Sequence, residues 1–113
     1  MKEKERLQKN KDFQAVYQEG RSKANRQYVM YIRKNGFAYN RIGVSVSKKV
    51  GNSVVRHRIK RLVKESYRLS EDLFLKGYDI VVIARGAARE ADFHQTRSSL
   101  LHLGRKQDLL MKK

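Results

Sequence analysis

Seven residues, Tyr78 to Ala84 (YDIVVIA), form an almost unbroken apolar run. The alternation of a strand with one wet face is missing, so the run reads as a strand buried on both faces. Such a strand needs a sheet around it. Tyr28 to Ile32 is rich in β-formers and supplies one partner. Asn35-Gly36 then marks a turn in a loop running to Asn40. Ile42 to Ser47 alternates, with Ile42, Val44 and Val46 on one face. The short connection predicts that these two strands pair directly and antiparallel. Arg21 to Arg26 is polar and irregular, and is read as a short edge strand.

Between Ser47 and Tyr78 lies the longest helical pattern, Ser53 to Leu69, after a basic turn, Lys48-Lys49-Val50-Gly51-Asn52. A helix between two strands makes a β-α-β unit. A shorter helix is expected from Lys11 to Glu19, capped by Asn10 and stopped by Gly20. A last one is expected from Phe93 to Leu103, capped by Asp92, burying Phe93, Leu100 and Leu101. Arg85 to Ala91 reads as a loop. The fold class is α+β: one sheet and three helices in a small sandwich. At 113 residues the chain reads as a single domain, 1–113, with residues 1–6 and 105–113 as frayed basic tails.

With about 100° per residue and Val55 at zero, Ile59, Leu62, Val63, Ser66 and Leu69 fall on one arc of the central helix. Arg56, His57, Lys60, Arg61, Lys64 and Arg68 spread over the opposite arc, with Arg58 on a flank. Charge is concentrated here. The chain carries a net +16, and residues 41–70 hold nine basic residues against one acid, Glu65. Solubility alone is served by mixed signs, so this asymmetry points to a polyanion. Arginine forks and lysine point charges both suit phosphate. Backbone N–H groups near Asn52 and Ser53 add to them. An anionic membrane surface or a calmodulin-type partner would attract a similar helix. Its place between two strands makes it part of a core, which argues against the second.

Phe13, Tyr17, Tyr28, Tyr31, Phe37 and Tyr39 lie in the first forty residues. Singly, each fits a core. Together they exceed what so small a core holds, so some are expected to line a groove where unpaired bases stack. Tyr28 and Tyr31 should face opposite sides of their strand. Signatures of protein catalysis are missing. There is no cysteine, no phosphate-binding loop of Walker type, no nucleophile elbow and no zinc-protease motif. His57, His94 and His102 are scattered. No apolar segment is long enough for a membrane span or shaped as an export signal, so a cytoplasmic protein is expected.

The stretch VSVSKKVGNSVVRHRIKRLVKE, Val44 to Glu65, resembles the protein subunit of bacterial ribonuclease P. That family's hallmark is a strand, a lysine-rich turn with Gly-Asn, then a helix beginning Arg-x-Arg. Leu7 to Phe13 with Tyr17 and Gly20 fits, as does Tyr78 to Arg85. The resemblance runs over about residues 6–104. His57 departs from it, because asparagine is usual between the two arginines.

The resemblance implies an order α-β-β-β-α-β-α, similar to a domain of ribosomal protein S5, with a left-handed β-α-β crossover. It implies that the protein is the non-catalytic subunit of an endoribonuclease that removes the 5′ leader of precursor tRNA. Lys49, Asn52, Arg56, His57, Arg58, Lys60, Arg61, Lys64 and Arg68 would meet the catalytic RNA subunit. Phe13, Tyr17, Tyr31, Lys48 and Arg85 would take the single-stranded leader in a cleft. No catalytic or metal-ligating residue is implied for the chain. Magnesium would be held mainly by RNA, and the partners would be the RNA subunit and precursor tRNA, with no membrane and no small-molecule substrate.

Overall fold

The computed structural model describes residues 2–112. Helix α1 spans Asn10–Glu19, strand β1 Arg21–Ala24, β2 Tyr28–Lys34 and β3 Arg41–Ser45. Helix α2 spans Ser53–Ser70, β4 Tyr78–Ala84 and helix α3 Phe93–Lys106. Short 3-10 turns occupy Glu3–Glu5, Glu71–Leu73 and Gly86–Glu90.

The four strands form one sheet in the order β1-β2-β4-β3. β4 lies antiparallel to β2 and parallel to β3. The expected direct pairing of β2 with β3 is therefore corrected: β4 is inserted between them. The reason lies in β4's own side chains. Ile80, Val82 and Ala84 point to one face of the sheet and Val81 and Ile83 to the other. A strand with apolar side chains on both faces removes most area from water when it has neighbours on both edges. The loop from Asn35 to Asn40 spans the gap, turning at Gly36 (φ +78°).

On one face, α2 and α3 pack over Tyr28, Met30, Ile32, Ile80 and Val82 to make the larger core. Ile59 and Val63 of α2 are fully buried there, a gain of about 1.5–3 kcal/mol each. The other face carries α1 over a smaller cluster, Leu7, Val16 and Val81, with Phe13, Tyr17, Tyr31 and Ile83 partly buried around it. Tyr28 and Tyr31 do face opposite sides of β2.

Both sheet edges are managed. β1 is exposed throughout and carries Arg21 and Lys23, charges that discourage pairing with another chain. β3 is covered by the N-terminal segment, where Arg6 bridges to Ile42 and the Leu7 amide donates to the Ile42 carbonyl at 2.9 Å. That segment was expected to fray, and so was residues 105–113. Instead Gln107 and Leu109 are buried. The Leu75 amide donates to Leu109 O and the Met111 amide to Leu73 O, both at 2.8 Å. Leucines at 109 and 110 have an apolar seat beside Phe74, which a count of lysines in the tail does not reveal.

Smaller corrections concern helix details. Lys9, not Asn10, occupies the N-cap position of α1, and it makes no side-chain capping hydrogen bond. Asp92 caps α3 as expected, accepting from the Gln95 amide at 2.8 Å, while the Gln95 side chain accepts from the Asp92 amide. Leu69 of α2 is 54% exposed, and Tyr67 and Ser70 are buried in its place. The buried arc is therefore rotated towards Tyr67, with Ile59, Val63 and Ser70 at its middle.

Candidate nucleic-acid interface

Helix α2 begins at Asn52, whose side chain accepts from the Val55 amide at 3.0 Å. Gly51 is needed there: a Cβ on it would lie 2.7 Å from the Val55 side chain. Lys48 and Lys49 are exposed in the turn before it. His57, Lys60, Arg61 and Arg68 are exposed along the helix, and Arg56, Arg58 and Lys64 are half-buried.

The cationic residues are not equivalent. Arg58 turns inward, its Nη1 donating to Ala91 O at 3.3 Å and its Nη2 to Arg89 O. It ties α2 to the segment before α3. Arg68 pairs with Glu65, the one acid of this stretch. Arg56 has its Nε buried without a hydrogen-bond partner. Lys64 stands beside Arg6 and Lys60, and its partial burial, with those two cations, lowers its pKa. A phosphate would relieve that arrangement. The outward strip is thus His57, Lys60, Arg61 and Lys64. Two shallow depressions on this face share His57 and Arg61. His57 therefore sits at the middle of the surface, where asparagine stands in the resembling family.

On the opposite face of the sheet, three aromatic rings come together. Phe13 and Tyr17 of α1 are 6.5 Å apart between centroids. Tyr17 meets Tyr31 of β2 edge-on at 5.1 Å. The floor under Phe13 is Gly43, where a Cβ would come within 2.5 Å of its ring. Burial pushes the Tyr17 phenol up in pKa, opposed by the Ser45 side chain and reinforced by Tyr31. Lys48 follows β3 in the turn and Arg85 follows β4; both are exposed. Arg85 Nη1 donates to Asn25 O at 2.9 Å, which aims it at the β1–β2 connection.

Sequence reasoning missed the group that anchors this face. Asp79, fully buried, takes two hydrogen bonds from Arg41, Nε to Oδ1 at 2.8 Å and Nη2 to Oδ2 at 2.7 Å. Asn35 Nδ2 donates to Oδ1 at 3.0 Å, and Arg33 Nη1 lies 3.6 Å from Oδ2. Arg33 also reaches Glu19, and Arg41 reaches Asp12, both on α1. One buried carboxylate thus ties α1, β2, β3 and β4. A lone acid in an apolar run was the available signal, since a buried charge needs partners. Gly43 was legible too, as a glycine inside a strand pattern.

Comparison with known proteins shows which family the chain belongs to. The family model described as Ribonuclease P matches residues 1–108. The chain belongs to the ribonuclease P protein family. The ribonuclease P protein component of Alkaliphilus metalliredigens is 54% identical over 97% of this chain and 99% of its own length. That of Clostridium botulinum strain Langeland is 52% identical over 89% and 92%. Among solved structures, the ribonuclease P protein of Staphylococcus aureus superposes with a TM-score of 0.86 at 40% identity, covering 95% of this chain and 98% of that one. The Thermotoga maritima protein gives 0.82 at 39% identity, covering 89% and 96%. Ribonuclease P is a ribonucleoprotein endoribonuclease that processes tRNA, and this family is its protein component. Among the described residues, no group of three or more His, Asp or Glu side chains is placed to hold a metal ion. None of the described helices is long and apolar enough to cross a membrane.

Proposed function

We propose that this ribonuclease P protein holds two RNAs on opposite faces of one sheet. Helix α2 meets the catalytic RNA subunit through His57, Lys60, Arg61 and Lys64. Lys49, Asn52, Arg56 and Arg68 flank that contact, and Arg58 supports it from within. The α1 face takes the single-stranded 5′ leader of precursor tRNA on Phe13, Tyr17 and Tyr31. Lys48 and Arg85, beyond the ends of β3 and β4, supply charge for its phosphates. The observation that carries this reading is the aromatic triad: three half-buried rings in van der Waals succession, on the face with the smaller core.

The chain's part is binding and positioning. Hydrolysis belongs to the RNA subunit, with magnesium held mainly by RNA supplying the activated water. The positive charge of the protein lowers the repulsion between two polyanions, so affinity should fall steeply with salt. A cytoplasmic location follows from that role.

Cleavage of a precursor tRNA at low magnesium tests the reading. The samples are ribonuclease P RNA alone, the protein alone, and both together. Cleavage at the mature 5′ end only in the combined sample is expected. Cleavage by the protein alone would overturn the division of labour.

A further inference from the structure

A second aromatic cluster lies beside the start of β3, near the first turn of α1. Phe37 and Tyr39, in the loop between β2 and β3, stack with centroids 5.1 Å apart and planes within 4°. Lys4 Nζ stands 4.6 Å from the Tyr39 centroid, and the Arg41 guanidinium 5.3 Å from that of Phe37. Phe37 is 45% exposed, although neither the larger nor the smaller core needs it. Beside the pair is an open depression of about 300 Å³, lined also by Arg6, Lys9, Glu3 and Asp12. That is the low end of the range occupied by small-ligand sites.

The chemistry of this spot is that of a nucleotide site. Arg41 is committed to buried Asp79, so the loop is anchored from beneath and its rings are held ready. Asn35 Oδ1 accepts from the Phe37 amide at 2.8 Å and fixes the turn. Lys4, Arg6 and Lys9 are exposed cations lining the same depression as the rings. Asp12, one of two carboxylates present, lies 3.9 Å from Arg41 and is partly neutralised. A base stacking on Tyr39 would displace Lys4. That exchange favours the base, because an exposed cation–ring contact is weaker than a base–ring stack. The displaced ammonium would then be free to meet the phosphate.

We infer that Phe37 and Tyr39, with Lys4 and Lys9, form a subsite for an unpaired RNA nucleotide, separate from the Phe13–Tyr17–Tyr31 cluster. The proposal rests on the RNA-binding reading above. Its ligand is one unpaired base with its phosphate, supplied either by a long 5′ leader or by an unpaired segment of the RNA subunit.

The test uses the reconstituted ribonucleoprotein with Phe37→Ala, Tyr39→Ala and Tyr39→Phe. Circular dichroism melting confirms that each protein folds, which exposed Phe37 makes undemanding. Affinity is measured for precursor tRNAs of graded leader length, and separately for the RNA subunit. Tyr39→Ala should weaken one of the two by about 5- to 10-fold, with Tyr39→Phe within about twofold of wild type. A loss that grows with leader length assigns the nucleotide to the leader. A loss in RNA-subunit affinity, independent of the leader, assigns it to the RNA subunit. Unchanged affinities in folded Phe37→Ala and Tyr39→Ala proteins would overturn the subsite. If Phe13→Ala still weakened leader binding in that case, the broader reading would stand without it.

Discussion

Helices α2 and α3 bury their face of the sheet so completely that Tyr28, Ile59, Val63, Ile80 and Leu103 have no measurable contact with solvent. Helix α1 does less on the other face. It buries Val16 and Val81 but leaves Phe13, Tyr17 and Tyr31 partly open. The first face has spent its apolar side chains on the core, so what it offers a partner is the charged outer side of α2. The second offers the rings themselves. Electrostatic attraction suits a long, already folded polyanion whose phosphates are everywhere. Stacking suits unpaired bases that present a π-face. On the function proposed above, one small sheet addresses two RNAs of different form because its two cores differ in size.

The largest test strikes what holds the α1 face together. Asp79→Ala leaves half-buried Arg41 without its main partner and frees Arg33 and Asn35. It should destabilise the protein by about 3–5 kcal/mol in urea unfolding. A loss below about 1 kcal/mol would show that the network does not anchor that face.

The larger core has its own titration. Tyr67 is pushed up to about 12 by burial, opposed by the hydrogen bond from Asn40 Nδ2 at 3.1 Å. The folded state therefore holds this proton more tightly than the unfolded chain, whose ordinary value is 10.0. Stability from this group is complete below about pH 10 and is lost as pH rises towards 12, on the order of 2–3 kcal/mol. Tyr67→Phe should lose less stability over that interval than wild type, measured by urea unfolding at each pH.

Substitutions at the surfaces sharpen the contrast between faces. Phe13→Ala should cost about 1–3 kcal/mol in affinity for precursors with long leaders and little for those without. Equal losses on both would remove Phe13 from the leader. Arg61→Glu should weaken RNA-subunit binding whatever the leader, whereas Arg58→Ala should mainly lower the melting temperature, because Arg58 serves the Ala91 and Arg89 carbonyls. The smallest effect is expected at Lys64. Removing a desolvated charge by Lys64→Met should raise the stability of the free protein by under about 0.5 kcal/mol, given solvent screening, while weakening RNA binding. A destabilised variant would mean that its ammonium is better placed than its neighbours Arg6 and Lys60 suggest.

Much of the architecture was legible locally. The spans of β2, α2, β4 and α3 follow from apolar periodicity and, for α3, from the Asp92 cap, which depend only on near neighbours in the chain. The aromatic triad was legible only through the family resemblance, because spacing alone does not say which of the six early aromatics leave the core. Leu69 misled because hydropathy ranks it above Tyr67, whereas burial is decided by which residue lies beneath α2. Arg58 read as a flanking cation, because nothing near it in sequence names the Ala91 and Arg89 carbonyls.

Element types, the cationic stripe of α2 and the family were readable from the chain alone, since these rest on residue order and short-range pattern. Tertiary structure alone decided three things. It put β4 between β2 and β3, seated Leu109 beside the larger core, and gathered Arg33, Asn35 and Arg41 around Asp79. Each is a choice among distant partners, settled by how much apolar area is buried and whether a buried charge is matched, and no local pattern carries that sum.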